Sequence, residues 1–140
     1  MHFTNLGMFL YTEDPRAAAD FYIQHLGFKK TTDIGWFVAL RHPDHPNFDL
    51  ALAQNDHKTV AAPFKGIETK GAGLAFLVKD VDAEAARLRE AGVAIAVEVQ
   101  SEPWGQRRFQ FEAPGGVIVE ILQQVEPSVE WLEEHGLTAV

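Results

Sequence analysis

The sequence predicts an α+β fold made of two βαβββ halves. Three observations carry this reading. Two aspartates that can open helices, Asp14 and Asp80, lie 66 positions apart, and the same offset sets Gly73 on Gly7. Each of these helices is preceded by one strand-like run and followed by three. The last strands of the halves end the pattern with a carboxylate in an apolar run, Asp49 in the first and Glu120 in the second, 71 positions apart. Two copies of this size are too few for a solenoid. The expectation is a single domain over residues 1–140, with pseudo-symmetric halves sharing one sheet. Module one covers about 5–54, a linker about 55–70, module two about 71–124 and a C-terminal helix about 126–135.

In the first half, Leu6 to Thr12 reads as a buried strand. Glu13-Asp14-Pro15 then starts a helix, with Asp14 as N-cap and Pro15 in the first turn. Ala18, Phe21 and Leu26 are expected to face inward, and Gly27 to stop the helix. Strands follow at Phe28–Thr32, Gly35–Arg41 and Asn47–Gln54, the last two joined by the turn His42-Pro43-Asp44-His45-Pro46. In the second half, Gly71–Lys79 is a strand and Asp80-Val81-Asp82 opens a helix that ends at Gly92. Val81, Ala85 and Leu88 share one face of that helix. Val93–Gln100 is a strand, Trp104-Gly105 a loop, and Arg107–Gln123 a hairpin turning at Pro114-Gly115-Gly116. Glu126–Glu134 reads as an amphipathic helix carrying Trp131.

Composition narrows the function classes. A formal net charge of -8 argues against nucleic-acid binding. The chain has no Cys, which excludes disulfides, thiolate metal sites and cysteine nucleophiles. No apolar run reaches the roughly 18 residues of a membrane span. The N-terminal residues Met1-His2-Phe3-Thr4-Asn5 have neither the charged nor the apolar region of a leader, so a cytoplasmic location is expected. No glycine-rich phosphate loop and no nucleophile elbow occurs.

Val117 to Leu122 is apolar at both parities except for Glu120, so the strand is expected to be buried on both faces. A carboxylate there needs a cation, a metal or hydrogen-bond donors. Two readings stand side by side: Glu120 contacts a ligand, or it pairs with Arg107 or Arg108 on the preceding strand, of which parity turns only one inward.

Asp14-Pro15, Phe21-Tyr22 and Leu26-Gly27-Phe28 resemble the entry motif of the vicinal oxygen chelate superfamily, which contains glyoxalase I, bleomycin-resistance proteins and extradiol dioxygenases. Pro103-Trp104-Gly105-Gln106-Arg107 through Pro114, Gly116 and Glu120 resembles its closing motif. The resemblance spans roughly residues 5 to 124. It implies two βαβββ modules forming a curved mixed sheet around a central cavity, often in a homodimer. Metal-binding members take ligands from the first and last strand of each module. Here those positions are Gly7, Asp49, Gly73 and Glu120. Two carboxylates without an imidazole make a poor site for Fe²⁺, Zn²⁺ or Ni²⁺. No cofactor is therefore expected, and Mg²⁺ or Mn²⁺ with several waters is the disfavoured alternative.

Strand parity adds an independent argument. The face holding Gly7, Asp49, Gly73 and Glu120 also holds Ala51, Ala53 and Ala75, whereas the opposite face is uniformly large and apolar. Small residues on a concave face leave volume that a ligand, or a large neighbouring side chain, would fill. The expected ligand contacts are Tyr11, Trp36, Asp49, Trp104, Arg107, Phe111 and Glu120, the aromatics by stacking. The expected function is metal-independent binding of a small aromatic or cationic compound, of the glyoxalase/bleomycin-resistance type. The alternative is a lyase, isomerase or dioxygenase using Glu120 as base or metal ligand.

Overall fold

The computed structural model describes residues 1–138. The chain forms two compact units, one of Met1–Ala72 with Ala113–Val117, the other of Gly73–Glu112 with the chain from Ile118 onward. The first contains β1 (Leu6–Thr12), α1 (Pro15–Leu26), β2 (Lys29–Asp33), β3 (Phe37–His42) and β4 (His45–Gln54), then a 3-10 turn at Ala62–Phe64. Then follow β5 (Gly73–Leu77), α2 (Val81–Glu90), β6 (Ile95–Glu102), β7 (Gln106–Ala113), β8 (Val117–Gln124) and α3 (Val129–Glu134).

The strands make two four-stranded sheets, ordered β1-β4-β3-β2 and β5-β8-β7-β6. This corrects the expectation of one shared sheet. Both are mixed: β1 runs parallel to β4 and β5 to β8, while β2–β3, β3–β4 and β6–β7 are antiparallel. The fold class is thus α+β with the βαβββ order twice.

The ladders also correct the alignment of the halves. Gly7 pairs with Asp49, but Gly73 pairs with Ile118, and Glu120 lies opposite Ala75. The residue equivalent to Asp49 is therefore Ile118, and Glu120 corresponds to Ala51. Matching one carboxylate to the other shifts the register by two residues. Such a shift keeps every side chain on its face and is invisible to parity.

The helices α1 and α2 begin where the sequence places them, whereas α3 begins at Val129, three residues after the expected Glu126. The Asp14 side chain accepts from the Ala17 N–H at 3.0 Å, and Asp80 does the same for Ala83. Gly27 ends α1 at φ 76, a left-handed conformation that any side chain would strain. Across the sheet, α1 touches β1, β2, β3 and β4. The buried face of α1 is Ala18, Ala19 and Tyr22; Phe21 and Leu26, expected inside, are half-buried. Beneath it lie Leu10, Val38, Leu40, Leu50 and Leu52, each at most 1% exposed. Truncating one such leucine to Ala costs about 2–5 kcal/mol. In the other unit Val81, Ala85 and Leu88 of α2 are buried, as are Leu74, Phe109, Phe111, Val119 and Ile121.

Two strands are less buried than expected. In β1 only Leu10 and Thr12 are buried, and Leu6 and Phe9 are each 61% exposed. In β8, Val117, Val119 and Ile121 are buried while Ile118 is exposed. Each sheet has a helix on one face only, so an apolar run need not mean burial on both.

Among the described residues, the fully buried Tyr22 hydroxyl has no hydrogen-bond partner. Burial pushes its ionisation above the ordinary value of 10. The unfolded chain therefore loses this proton first as pH rises, and stability present below pH 10 declines above it. Replacing Tyr22 by Phe removes an unsatisfied polar group, and the variant is expected to be more stable by about 1 kcal/mol, with a weaker alkaline decline. Urea denaturation at pH 7 and at pH 11 checks this; a destabilised variant would show that the hydroxyl has a partner.

Candidate functional site

The site is built on β7 and β8. Along β7, Phe109, Phe111 and Ala113 enter the core, which leaves Arg108 and Gln110 on the opposite face. Glu120 on β8 reaches the same face. Its Oε1 accepts from Arg108 Nη1 at 2.8 Å and from Gln110 Nε2 at 3.0 Å. The pairing alternative for Glu120 is therefore realised, with Arg108. Its Oε2 accepts no hydrogen bond among the described residues.

Arg108 serves a second carboxylate as well. Its Nε donates to Glu102 Oε1 at 3.1 Å, its Nη2 lies 2.9 Å from that oxygen in an ion pair, and Gln100 Nε2 donates to the same oxygen at 2.7 Å. The three charged side chains are 13–23% exposed, so the pairing is shielded from bulk water. Its hydrogen bond to Glu120, then that to Glu102, holds the Arg108 guanidinium above its ordinary pKa. One guanidinium faces two carboxylates, which leaves the cluster one negative charge in excess. The Trp104 indole lies over the guanidinium, its ring centre 5.5 Å from Cζ, while its Nε1 donates to Gln106 Oε1 at 2.9 Å. Trp104 remains 39% exposed. Stacked and ion-paired, Arg108 keeps its charge and loses its freedom.

Two expected contacts lie elsewhere. Arg107 has the parity of Phe109 and Phe111, so it turns to the helix side and grips Asp82 of α2 with two hydrogen bonds, at 2.8 and 2.7 Å. Phe111 is 1% exposed, with its ring stacked near Phe109 in the core. Both corrections follow from the Phe109-x-Phe111 alternation, which also marks Gln110 as a site residue. Glu102 was beyond sequence reasoning, because the β6–β7 ladder shifts register between Val97 and Gln100.

The remaining candidates belong to the first unit, with separate partners. Asp49 accepts from Arg41 Nε at 2.8 Å and from Asn5 Nδ2 at 3.0 Å. Tyr11 meets the Phe9 ring edge-on at 5.5 Å. Trp36 lies flat on His57, with ring centres 4.1 Å apart. His42 and His45 flank the β3–β4 turn, where His42 Nδ1 accepts from the Asp44 N–H.

At the four positions expected from the superfamily resemblance, where the ladders do not match Glu120 with Asp49, the donors fit a divalent ion poorly. Gly7 and Gly73 offer no side chain, both Asp49 oxygens are engaged, and Glu120 faces an arginine. A Cβ on Gly7 would sit 3.3 Å from the Asp49 carbonyl oxygen. At position 73, a longer side chain would start opposite Ile118 rather than Glu120.

A paired βαβββ unit with this strand order defines a superfamily fold. The chain belongs to the Glyoxalase/Bleomycin resistance protein/Dioxygenase superfamily, whose family model matches residues 2–121. It is 30% identical to the uncharacterized protein YurT of Bacillus subtilis over 95 residues, 64% of this chain and 75% of that one. A glyoxalase/bleomycin resistance protein/dioxygenase from Nocardioides superposes with a TM-score of 0.77 at 23% identity, over 90% of this chain and 86% of that one. Lactoylglutathione lyase from Agrobacterium tumefaciens gives 0.69 at 20% identity, over 86% and 92%. At these identities the two structures establish the shared fold.

Arg108→Ala would strand two shielded carboxylates and is expected to cost about 2 kcal/mol. Arg107→Ala breaks a more solvated pair and is expected to cost less. Urea midpoints of the two variants rank them; the reverse order would refute the assignment of Arg108 as the organising cation.

Proposed function

We propose that this protein binds a small aromatic or cationic molecule on the open face of the second sheet, without a metal, as a sequestering protein rather than a catalyst. The observation that carries this is a half-exposed indole over a cluster with one excess negative charge. An indole face and an uncompensated carboxylate together attract a flat cation. The surroundings are small and apolar: Gly73 and Ala75 are exposed on the same face, with Leu77 and Ile118 beside them. The poor donor set at the superfamily's ligand positions supports independence from metal. The same reading takes the protein as a cytoplasmic homodimer. Exposed Phe9 and Leu77 support burial against a second copy.

A second reading has one observation in its favour. The open Oε2 of Glu120 is suited to accept a proton from a carbon acid, which would make the protein a lyase or isomerase.

Calorimetric titration with aromatic monocations, their neutral isosteres and aromatic carboxylates tests the binding reading. Cations are expected to bind tightest. Trp104→Ala and Glu120→Gln are each expected to weaken that binding about tenfold, roughly 1.4 kcal/mol. Protein purified without chelator is expected to contain substoichiometric Zn, Fe, Mn and Ni. Cation binding that survives both substitutions would remove Trp104 and Glu120 from the site, and one bound metal per chain would overturn metal independence.

A further inference from the structure

We propose that residues 125–135 form a strap that positions Trp104 and, through it, the Arg108–Glu120 pair. The strap lies beyond the family-model match, which ends at residue 121. It crosses the loop between β6 and β7 and is tied there by two backbone hydrogen bonds. The Val125 N–H donates to the Gly105 carbonyl at 2.9 Å and the Ser128 N–H to the Pro103 carbonyl at 2.8 Å. These anchors bracket Trp104 in sequence. Contact is close enough to exclude a side chain at Gly105, where a Cβ would stand 3.0 Å from the Val125 oxygen and 3.2 Å from Pro127 Cβ. Its φ of 98 also calls for glycine.

The side chains continue the contact. Ser128 Oγ caps α3 by accepting from the Trp131 N–H at 3.2 Å, which fixes Trp131 in the first turn. The Trp131 ring then meets Trp104 with centres 6.2 Å apart, at 55°. Trp131 also stacks with His135, with ring centres 4.1 Å apart. A row thus runs from His135 through Trp131 and Trp104 to Arg108, and ends on Glu120. α3 has six residues, too few to persist as a helix in water. It holds its shape because it is docked, so the strap couples its own docking to the orientation of the indole. Trp131 touches neither Arg108 nor Glu120 in this row and is a positioning residue.

The positioning role is independent of any ligand; its consequence for binding rests on the reading above. The test uses the side-chain Nε–H signals of two arginines in a ¹⁵N–¹H spectrum of the full chain, each assigned by Arg→Lys substitution. Arg108 Nε–H, bonded to Glu102, belongs to the guanidinium whose Cζ lies 5.5 Å from the Trp104 ring centre, and reports the site. Arg107 Nε–H, bonded to Asp82, reports the fold. In Trp131→Ala the Arg108 signal is expected to move toward its position in Trp104→Ala, with Arg107 unmoved. Trp131→Phe is expected to restore most of the shift. An Arg108 signal that stays in place overturns the proposal. If Trp131→Ala loses both signals, Ser128→Ala decides: a partial Arg108 shift with Arg107 intact supports the strap, and no shift rejects it. Where a cation is found to bind, Trp131→Ala is expected to weaken it about threefold; unchanged affinity with a displaced Arg108 signal would leave the strap standing and reject the binding reading.

Discussion

A single guanidinium organises the functional face of the second sheet. Arg108 is donor to carboxylates on both neighbouring strands, Glu102 on β6 and Glu120 on β8, so it crosses the sheet as well as belonging to it. Without it, two shielded negative charges would stand on one face with only the amides of Gln100 and Gln110 to bind them. The cost of an uncompensated charge exceeds what a neutral amide returns. The geometry of Glu120 therefore depends on Arg108, whose guanidinium is in turn covered by the Trp104 indole.

The two units repeat an architecture without repeating a site. Each has a parallel pair at one end of its sheet, and each has an arginine–carboxylate pair across neighbouring strands. Yet the pairs are displaced by two residues along the ladder, since Asp49 matches Ile118 and Glu120 matches Ala51. They also differ in solvation. Arg41 and Asp49 are 44% and 37% exposed, against 20% and 23% for Arg108 and Glu120. Ion pairs as open as the first contribute at most about 1 kcal/mol and are screened by salt. The shielded pair holds its geometry more firmly, and among the described residues it alone of the two lies against an indole. That difference makes the second unit the better candidate for recognition.

Much of this was legible in the residues. The helix-capping aspartates, the stops at Gly27 and Gly92, and the periodicities of β4 and α2 are local features, so they predicted the element order, while the superfamily resemblance rested on the motifs at Asp14–Phe28 and Pro103–Glu120. Alternation at Phe109 and Phe111 even contained the answer to which arginine faces Glu120. Strand exposure was less legible, because an apolar run reads the same whether one face or both are covered. The relation between the two last strands was misread, since a slip of two residues preserves every facing.

What the sequence determined by itself is therefore the fold class, the two helices with their caps, and a face of small residues carrying a carboxylate. Tertiary structure decided the division into two sheets, the ladder registers, the capture of Arg107 by Asp82 and of Arg108 by Glu102 and Glu120, and the docking of Trp131 on Trp104. The physical reason is range. Capping, turn chemistry and side-chain alternation act within a few residues. Ion pairs and ring contacts between strands depend on register and bulges, which pack the whole sheet at once.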